Sequence, residues 1–201
     1  LTTVSYSYLD EEWPGFFGSF QGKATYVWNG TDADFWDPDL LQWHNLSRRD
    51  RRRKMLEEHG LEDGCFFFNV GRLDVEQKGI DVLLEAFARI MQGEIAGADR
   101  IKEKLRLVLL GSGDPHLESE ARRLVSIYPR NMKAILQYLG RETTRENYGA
   151  ADFCIIPSNF EPFGLVQLEA MCMGCIPIGT RVGGINDTVI SVEDNPEQST
   201  G

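Results

Sequence analysis

The stretch Cys154–Pro177, CIIPSNFEPFGLVQLEAMCMGCIP, contains the pattern that decides the fold. An apolar run from Phe153 to Ile156 predicts a buried parallel strand, and residues 157–160 break it. Apolar residues at helical spacing then predict a helix over residues 165–173, and residues 175–178 predict a second buried strand. This order of strand, loop, helix and strand places the loop where an open α/β sheet binds its ligand.

Two carboxylates, Glu161 and Glu169, flank the start of the predicted helix and are eight residues apart. The first turn of a helix suits an anion, because it presents free N–H groups and the positive end of the helix dipole. Carboxylates repel phosphate but accept hydrogen bonds from hydroxyls, so a ligand with phosphates between two sugars satisfies all of these groups. The alternative is that Glu161 caps the helix and Glu169 is a solvated helix residue.

The segment Glu161–Glu169, EPFGLVQLE, resembles the E-x7-E signature of retaining GT-B glycosyltransferases, especially glycogen and starch synthases. The resemblance extends over most of the chain. It implies an α/β fold with a Rossmann-like doubly wound parallel sheet, the nucleotide-sugar-binding C-terminal domain, over residues 29–201. It also implies that residues 1–28 are the end of an N-terminal domain with its linker, and that strands and helices of the family are missing after residue 201.

A second motif follows the apolar strand predicted from Cys65 to Val70. Gly71 and Arg72 come directly after this strand, and Lys78 opens a helix predicted over residues 80–91. Two cations at the carboxyl end of a sheet suit phosphates, because Arg clamps phosphate oxygens bidentately and Lys supplies a compact charge. The pattern resembles the G-R-x(5)-K-G motif of the same family, whose Arg and Lys hold the donor diphosphate. The alternative is that both are solvated loop cations.

The resemblance implies further roles in the same loops. Arg72 and Lys78 are expected to stabilise the charge that develops on the leaving nucleoside diphosphate. Glu161 is expected to accept hydrogen bonds from sugar hydroxyls, and Glu169 from the ribose. The catalytic residues are then Arg72, Lys78 and Glu161. The expected ligand-binding residues are Gly71, Arg72, Lys78, Tyr138, Leu139, Glu161, Phe163, Gly164, Leu165, Val166, Glu169 and Gly183.

The resemblance assigns three groups in that set to parts of the donor. The amides of residues 164–166 are expected to support the phosphate and the sugar from the helix start. Tyr138 and Leu139 follow a predicted strand and are expected beside the base, although a core or surface Tyr is equally compatible with the sequence. Gly183 lies in a Gly-rich turn that lets backbone approach the sugar phosphate.

The remaining pattern alternates strands with helices, which predicts a parallel sheet covered on both faces. Five arginines between residues 48 and 53 predict a solvated helix face rather than a nucleic-acid site. Residues 1–10 begin with a strand-like piece, and residues 10–22 are predicted to form a loop that can include a short helix. Further strands are predicted over 23–28, 105–110, 132–136 and 188–191, and further helices over 47–59, 116–128 and 143–148.

Composition excludes some classes of protein. The net charge is −10, with 31 acidic against 21 basic residues, which argues against a nonspecific nucleic-acid binder. No apolar run approaches the length of a membrane-spanning helix, and no signal peptide is visible. Four cysteines include the pair Cys172 and Cys175 in a C-x-x-C pattern, which is interpreted as core packing. We therefore expect a reducing compartment, the cytoplasm or a plastid.

The resemblance also sets expectations for ligands and partners. The donor is ADP- or UDP-glucose, the acceptor is an α-1,4-glucan that binds through the N-terminal domain, and neither a cofactor nor a metal is required. The D-x-D pattern at Asp32 and Asp34 is set aside as a metal site. Two alternatives stay open: another retaining enzyme of the sucrose, trehalose or lipopolysaccharide type, and a noncatalytic degenerate GT-B module. This stretch alone is expected to bind nucleotide weakly and to transfer nothing.

Overall fold

The computed structural model describes residues 2–12 and 23–201, without the side chains of Glu11 and Glu12. Seven strands and six α-helices occur in these residues. Short 3₁₀ turns occur at Pro38–Leu40 and Ala98–Arg100, and a π-helical turn occurs at Tyr8–Glu12. The strands are β1 Thr2–Thr3, β2 Thr25–Tyr26, β3 Cys65–Val70, β4 Leu105–Leu110, β5 Met132–Ile135, β6 Phe153–Ile156 and β7 Ile176–Gly179. The helices are α1 Arg48–Glu58, α2 Ile80–Gln92, α3 Pro115–Ile127, α4 Gly140–Ala150, α5 Val166–Cys172 and α6 Gly183–Thr188.

The main sheet has five parallel strands in the order β5-β4-β3-β6-β7. The chain builds outward from β3 through β4 to β5, and then returns to the other side of β3 to add β6 and β7. The direction of winding therefore reverses between β3 and β6, and an open α/β sheet binds ligands outside the carboxyl ends of the strands at such a point. The predicted doubly wound parallel sheet is confirmed.

Helices cover both faces of this sheet, because alternate side chains of each strand point to opposite faces. Strand β4 shows the alternation: Val108 and Leu110 belong to one buried cluster, and Leu107 and Leu109 to the other. The first cluster is completed by α1, α4, α5 and α6, and the second by α2 and α3. Both faces are thus apolar, which explains why the strands are continuous hydrophobic runs in the sequence.

The limits of the helices follow local rules. The side chain of Ser47 accepts a hydrogen bond from the Asp50 N–H and caps α1, as the sequence predicts. Asp114 caps α3 in the same way, with Pro115 in the first turn. Helix α2 ends at Gly93, which has φ +77° and supplies the left-handed residue that commonly closes a helix.

The arginine run on α1 differs from its prediction. Arg48 donates to the carbonyl oxygens of Met173, at 3.1 Å, and Ala151. Arg51 donates to the carbonyl oxygen of Gly149 at 3.1 Å. These carbonyls lie at the ends of α4 and α5, where backbone acceptors lack helical partners and a cation is favourable. The prediction of a solvated face is therefore wrong for these arginines, because their acceptors lie about 100 residues further along the chain.

Several predicted boundaries also changed. Residues 188–191 form no strand, since α6 extends to Thr188, and α4 is longer than the predicted helix over 143–148. The strand-like piece predicted at the start of residues 1–10 is the two-residue strand β1, and the strand predicted over 23–28 reduces to the two-residue strand β2, which pairs with β1 in parallel. Residues 13–22 of the predicted loop lie outside the described residues.

The cysteines are free thiols. Cys154 and Cys175 are buried and pack in the core, as predicted, whereas Cys172 is exposed and the core-packing interpretation is wrong for it. Desolvation raises the pKa of Cys175 to about 12, so this thiol is inert rather than reactive. Within residues 2–12 and 23–201, none of the helices has the length and apolarity that membrane crossing requires.

We expect Arg48→Ala to lower the free energy of unfolding by about 2–4 kcal/mol, because it leaves the carbonyls of two helix ends without a donor. Arg49→Ala is the matched control: Arg49 is the next residue on α1, its side chain is exposed, and its loss should cost less than about 0.5 kcal/mol. Urea denaturation of both variants measures the difference. Equal losses would contradict a capping role for Arg48.

Candidate functional site

The predicted site residues come from loops that leave the carboxyl ends of neighbouring strands. Gly71 and Arg72 follow β3, and Ser158 and Glu161 follow β6, the strand beside it. These loops enclose a narrow cleft of about 20 Å³ at the point where the winding of the sheet reverses. Its lining includes Asn69, Gly71, Arg72, Lys78, Ser158, Glu161 and Val166.

An ion pair forms part of the wall of this cleft. Lys78 Nζ donates to Glu161 Oε2 at 2.5 Å, with 26% of the Lys78 side chain and 10% of the Glu161 side chain exposed. A carboxylate that is this deeply buried needs a partner, because desolvation of an unpaired charge is costly. The pair therefore keeps a negative group stable beside a site whose other features favour an anion.

Two glycines allow the loops to approach each other. Gly79 has φ +59°, and a Cβ atom there would lie 2.2 Å from the carbonyl oxygen of Pro157. Gly183 has φ +45°, and its Cβ atom would lie 2.0 Å from the carbonyl oxygen of Glu161. Both positions combine a left-handed backbone with a backbone contact that excludes any side chain. The first places Lys78 beside the β6 loop, and the second places α6 against Glu161.

Arg72 lies at the open side of the cleft, with 61% of its side chain exposed. Its guanidinium contacts Asp74 at 2.8 Å and Gln77 at 3.1 Å. A hydrogen bond from the Gln77 N–H, helped by the nearby Arg72 charge, lowers the pKa of Asp74. Arg72 is therefore held as a charged, accessible group by its own loop, from which it can reach an anion in the cleft.

A second cleft of about 310 Å³ adjoins the first and shares Val70, Gly71 and Arg72 with it. Tyr138, which is 83% exposed, and Leu139 lie on its other side with Thr144. Leu110, Gly111 and Ser112, from the end of β4, complete the wall. The cleft is mainly apolar and has room for a planar ring. That Tyr138 and Leu139 bind a base there stays a prediction.

Helix α5 begins beside the ion pair. The backbone N–H groups of Gly164, Leu165 and Val166 have no hydrogen-bond acceptor within residues 2–12 and 23–201, and Val166 lines the first cleft. Such N–H groups suit an anion. Phe163 differs from its neighbours, since its side chain is 3% exposed and packs inside the protein. Its carbonyl oxygen accepts from the side-chain amide of Gln167 at 2.8 Å, so little of this residue is accessible to a ligand.

Glu169 lies one turn along α5 and lines neither of these two clefts. Desolvation raises the pKa of its carboxyl group, and the positive charge of Arg141 partly opposes this shift. Arg141 belongs to the first turn of α4, where its guanidinium lies 4.2 Å from the ring centre of Phe35. Glu169 is thus half-buried between α5 and α4.

The structure therefore brings together Arg72, Lys78, Glu161 and Val166, with Gly183 packed behind them. Sequence reasoning missed two polar groups of the same cleft. Asn69 is buried in β3 and donates to the Ile155 carbonyl at 2.9 Å, while its Oδ1 atom has no partner within the described residues. Ser158 is 1% exposed and its hydroxyl lies 3.5 Å from Glu161. For Asn69, the sequence offers one signal: a polar Asn inside the apolar run FFFNV.

A larger cavity, of about 430 Å³, lies elsewhere, between β7 and the C-terminal residues. It contains none of the predicted site residues, and its exposed pair Arg181 and Asp194 are 2.9 Å apart. The smaller clefts are the candidate functional site, because cations, a carboxylate and free N–H groups converge there. No group of three or more His, Cys, Asp or Glu residues that could hold a metal occurs in the part of the chain that the structure describes.

Solved structures resemble this fold. Starch synthase IV from Arabidopsis thaliana, in a structure bound to ADP and acarbose, matches with a TM-score of 0.79 and 27% identity, over 96% of this chain and 42% of that one. Sucrose-phosphate synthase from Thermosynechococcus elongatus matches with a TM-score of 0.64 and 28% identity, over 94% of this chain and 43% of that one.

Sequence comparison agrees with the structural one. Glycogen synthases of Lactiplantibacillus plantarum and Streptococcus pneumoniae are each 34% identical to this chain over its whole length. The chain spans 43% of the length of these relatives. The family model for glycosyl transferases group 1 matches residues 65–198, which carry both clefts and the ion pair. The chain belongs to the glycosyl transferases group 1 family.

Proposed function

We propose that this chain is the donor-binding part of a retaining hexosyltransferase that transfers glucose from ADP- or UDP-glucose to an α-1,4-glucan. The observation that carries the proposal is the convergence of Arg72, the Lys78–Glu161 pair and the free N–H groups of α5 on one cleft. The similarity to glycogen synthases, and to a starch synthase whose structure holds ADP and acarbose, supports this substrate class.

The electrostatics of the cleft suit a diphosphate flanked by two sugars. Arg72 and Lys78 bring two positive charges, and the start of α5 adds N–H donors, where phosphate oxygens would lie. During transfer, negative charge grows on the departing nucleoside diphosphate, so these groups stabilise the transition state more than the ground state. These cations and the helix start can perform the role that a divalent metal performs elsewhere.

Glu161 and Glu169 supply acceptors for hydroxyl groups at the two ends of the donor. Because Lys78 occupies only Glu161 Oε2, Oε1 remains available to a sugar hydroxyl. Glu169, on the α4 side of α5, is assigned to the ribose. Tyr138 and Leu139, in the adjoining cleft, are assigned to the base. Glu161, Arg72 and Lys78 are the proposed catalytic group.

The acceptor glucan is proposed to bind through a domain that precedes this one, with residues 1–28 as the connection. A reducing compartment such as the cytoplasm or a plastid fits the free cysteines. One alternative has specific support: the match to sucrose-phosphate synthase at 28% identity keeps a small sugar acceptor in consideration. Assays of the whole protein with glucans and with small sugars as acceptors separate the two.

Removal of either cation tests the proposal. We expect Arg72→Ala and Lys78→Ala each to weaken ADP binding by about tenfold or more, because each removes a charge-assisted contact to phosphate. Isothermal titration calorimetry measures the dissociation constants. Arg122→Ala is the matched control for Arg72→Ala: Arg122 is 62% exposed and Arg72 is 61% exposed, and each is paired with a carboxylate, but Arg122 lies on α3. It should change the affinity less than twofold.

Lys78→Ala leaves a buried carboxylate unpaired, so the double variant Lys78→Ala/Glu161→Gln checks for a folding defect. If the single variants fold and bind ADP as the unmodified chain does, the proposal fails and a noncatalytic module is the better interpretation.

The raised pKa of Glu169 predicts a pH dependence. A carboxyl whose folded-state pKa is raised favours the folded state below its ordinary pKa of 4.5, and this contribution is lost as the pH rises through the raised value. Glu169→Gln cannot ionise, so the variant should gain stability relative to the unmodified chain as the pH rises from about 4 to about 8. Urea denaturation at several pH values measures this. A stability difference that is constant or of opposite slope would contradict it.

A further inference from the structure

Residues 2–12 run across the loops that form the candidate site. Their strand β1 pairs with β2 through only two residues on each side, and so short a ladder stabilises little by itself. The firmer contacts of this segment are with residues 160–187, more than 150 positions along the chain. The position of the segment is therefore coupled to the position of the site loops.

Ser5 makes the first of these contacts. Its hydroxyl donates to the carbonyl oxygen of Pro162 at 2.6 Å and accepts from the N–H of Tyr8 at 3.2 Å, and the residue is fully buried. Pro162 directly follows Glu161. On the other side of Glu161, the ring of Phe160 packs against Tyr8, with centroids 5.3 Å apart. Residues 2–12 thus hold the backbone on both sides of Glu161.

Ser7 makes the second contact. Its hydroxyl and its N–H donate to the two carboxylate oxygens of Asp187, at 2.5 and 3.0 Å. The same hydroxyl accepts from the side-chain amide of Asn186 at 3.2 Å. Ser7 is 2% exposed, and hydrogen bonds to a charged acceptor in such a position are among the stronger ones.

Asp187 lies on α6, which is the other support of Glu161. The Gly184 N–H donates to the Glu161 carbonyl oxygen at 3.0 Å, and Gly183 packs closely against the same oxygen. The backbones of α6 and Glu161 are therefore in direct contact. Ser7 therefore binds α6, the helix whose Gly184 N–H contacts the Glu161 carbonyl, while Ser5 binds Pro162, the residue that follows Glu161.

We propose that Ser5 and Ser7 are positioning residues for the donor sugar, because they fasten residues 2–12 to both supports of the sugar-binding carboxylate Glu161. This inference rests on the proposed function. Neither serine contacts the cleft, so each acts through Pro162 or Asp187. Their loss lets the loop with Glu161 move while Arg72, which is held by its own loop after β3, keeps its place.

The test separates the sugar from the nucleotide. Calorimetry compares the affinity for ADP-glucose, or UDP-glucose if it binds more tightly, with the affinity for the corresponding diphosphate. In Ser7→Ala and Ser5→Ala, we expect the sugar nucleotide to bind about fivefold to tenfold more weakly and the diphosphate to lose clearly less affinity than the sugar nucleotide. A role in overall stability alone would weaken both ligands equally or neither. Ser126→Ala is the matched control, because Ser126 is an exposed serine on α3 whose hydroxyl donates to the Arg123 carbonyl within the same helix.

Hydrogen exchange provides a readout that needs no ligand. The Gly184 amide should exchange at least about fivefold faster in Ser7→Ala, because helix α6, which carries this amide, is no longer held through Asp187, whereas amides of the buried strand β4 keep their rates. If Gly184 keeps its rate in Ser7→Ala, the inference is overturned whether or not any ligand binds.

Glu161→Gln distinguishes failure of this inference from failure of the proposed function. If Glu161→Gln leaves the ratio of sugar-nucleotide to diphosphate affinity unchanged, the sugar-binding role of Glu161 fails, and the inference fails with it. If Glu161→Gln lowers the ratio but both serine variants leave it unchanged, the inference alone is overturned.

Discussion

The contact between Lys78 and Glu161 is the constraint on which the rest of the site depends. It joins the loop after β3 to the loop after β6, and so spans the point where the winding of the sheet reverses. A cation and a carboxylate that are both largely removed from water stabilise each other only while the two loops stay in contact. Gly79 allows this contact, since a side chain there would meet the Pro157 carbonyl, and Gly183 allows α6 to pack against the backbone of Glu161.

The sheet and the helices that cover it keep the loops after β3 and β6 in place. Both faces of the sheet are apolar, so helices must cover both, and the crossovers bring the carboxyl ends of β3 and β6 side by side. Arg48 and Arg51 on α1 then bind the carbonyls at the ends of α4 and α5. Helix α5 begins at the cleft, and the carbonyl of Met173 at its other end accepts from Arg48. This helix therefore connects the site to helix α1.

Much of the fold could be predicted because buried strands and helices require apolar residues in recognisable patterns along the sequence. Strands β3 and β4 have the predicted limits, since a strand buried on both faces must be a continuous apolar run between polar residues. Helix α6 could not be predicted in the same way. Its residues, GGINDT, have low helix propensity, and the turn is held by contacts with Glu161 and Ser7 from distant parts of the chain. The arginines of α1 were misinterpreted because their partners are backbone carbonyls, which have no sequence signature.

The sequence by itself determined the parallel α/β sheet, the order of its elements and the residue types at the cleft, because hydrophobic periodicity and short motifs are local properties of the chain. Only the tertiary structure decided that Lys78 pairs with Glu161, that Glu169 lies apart from both clefts beside α4 and that Phe163 is buried. It also decided that Ser5 and Ser7, near the start of the chain, bind Pro162 and Asp187. The physical reason is distance along the chain: these contacts join residues that are from tens to almost two hundred positions apart, and their geometry exists only once the crossovers have folded.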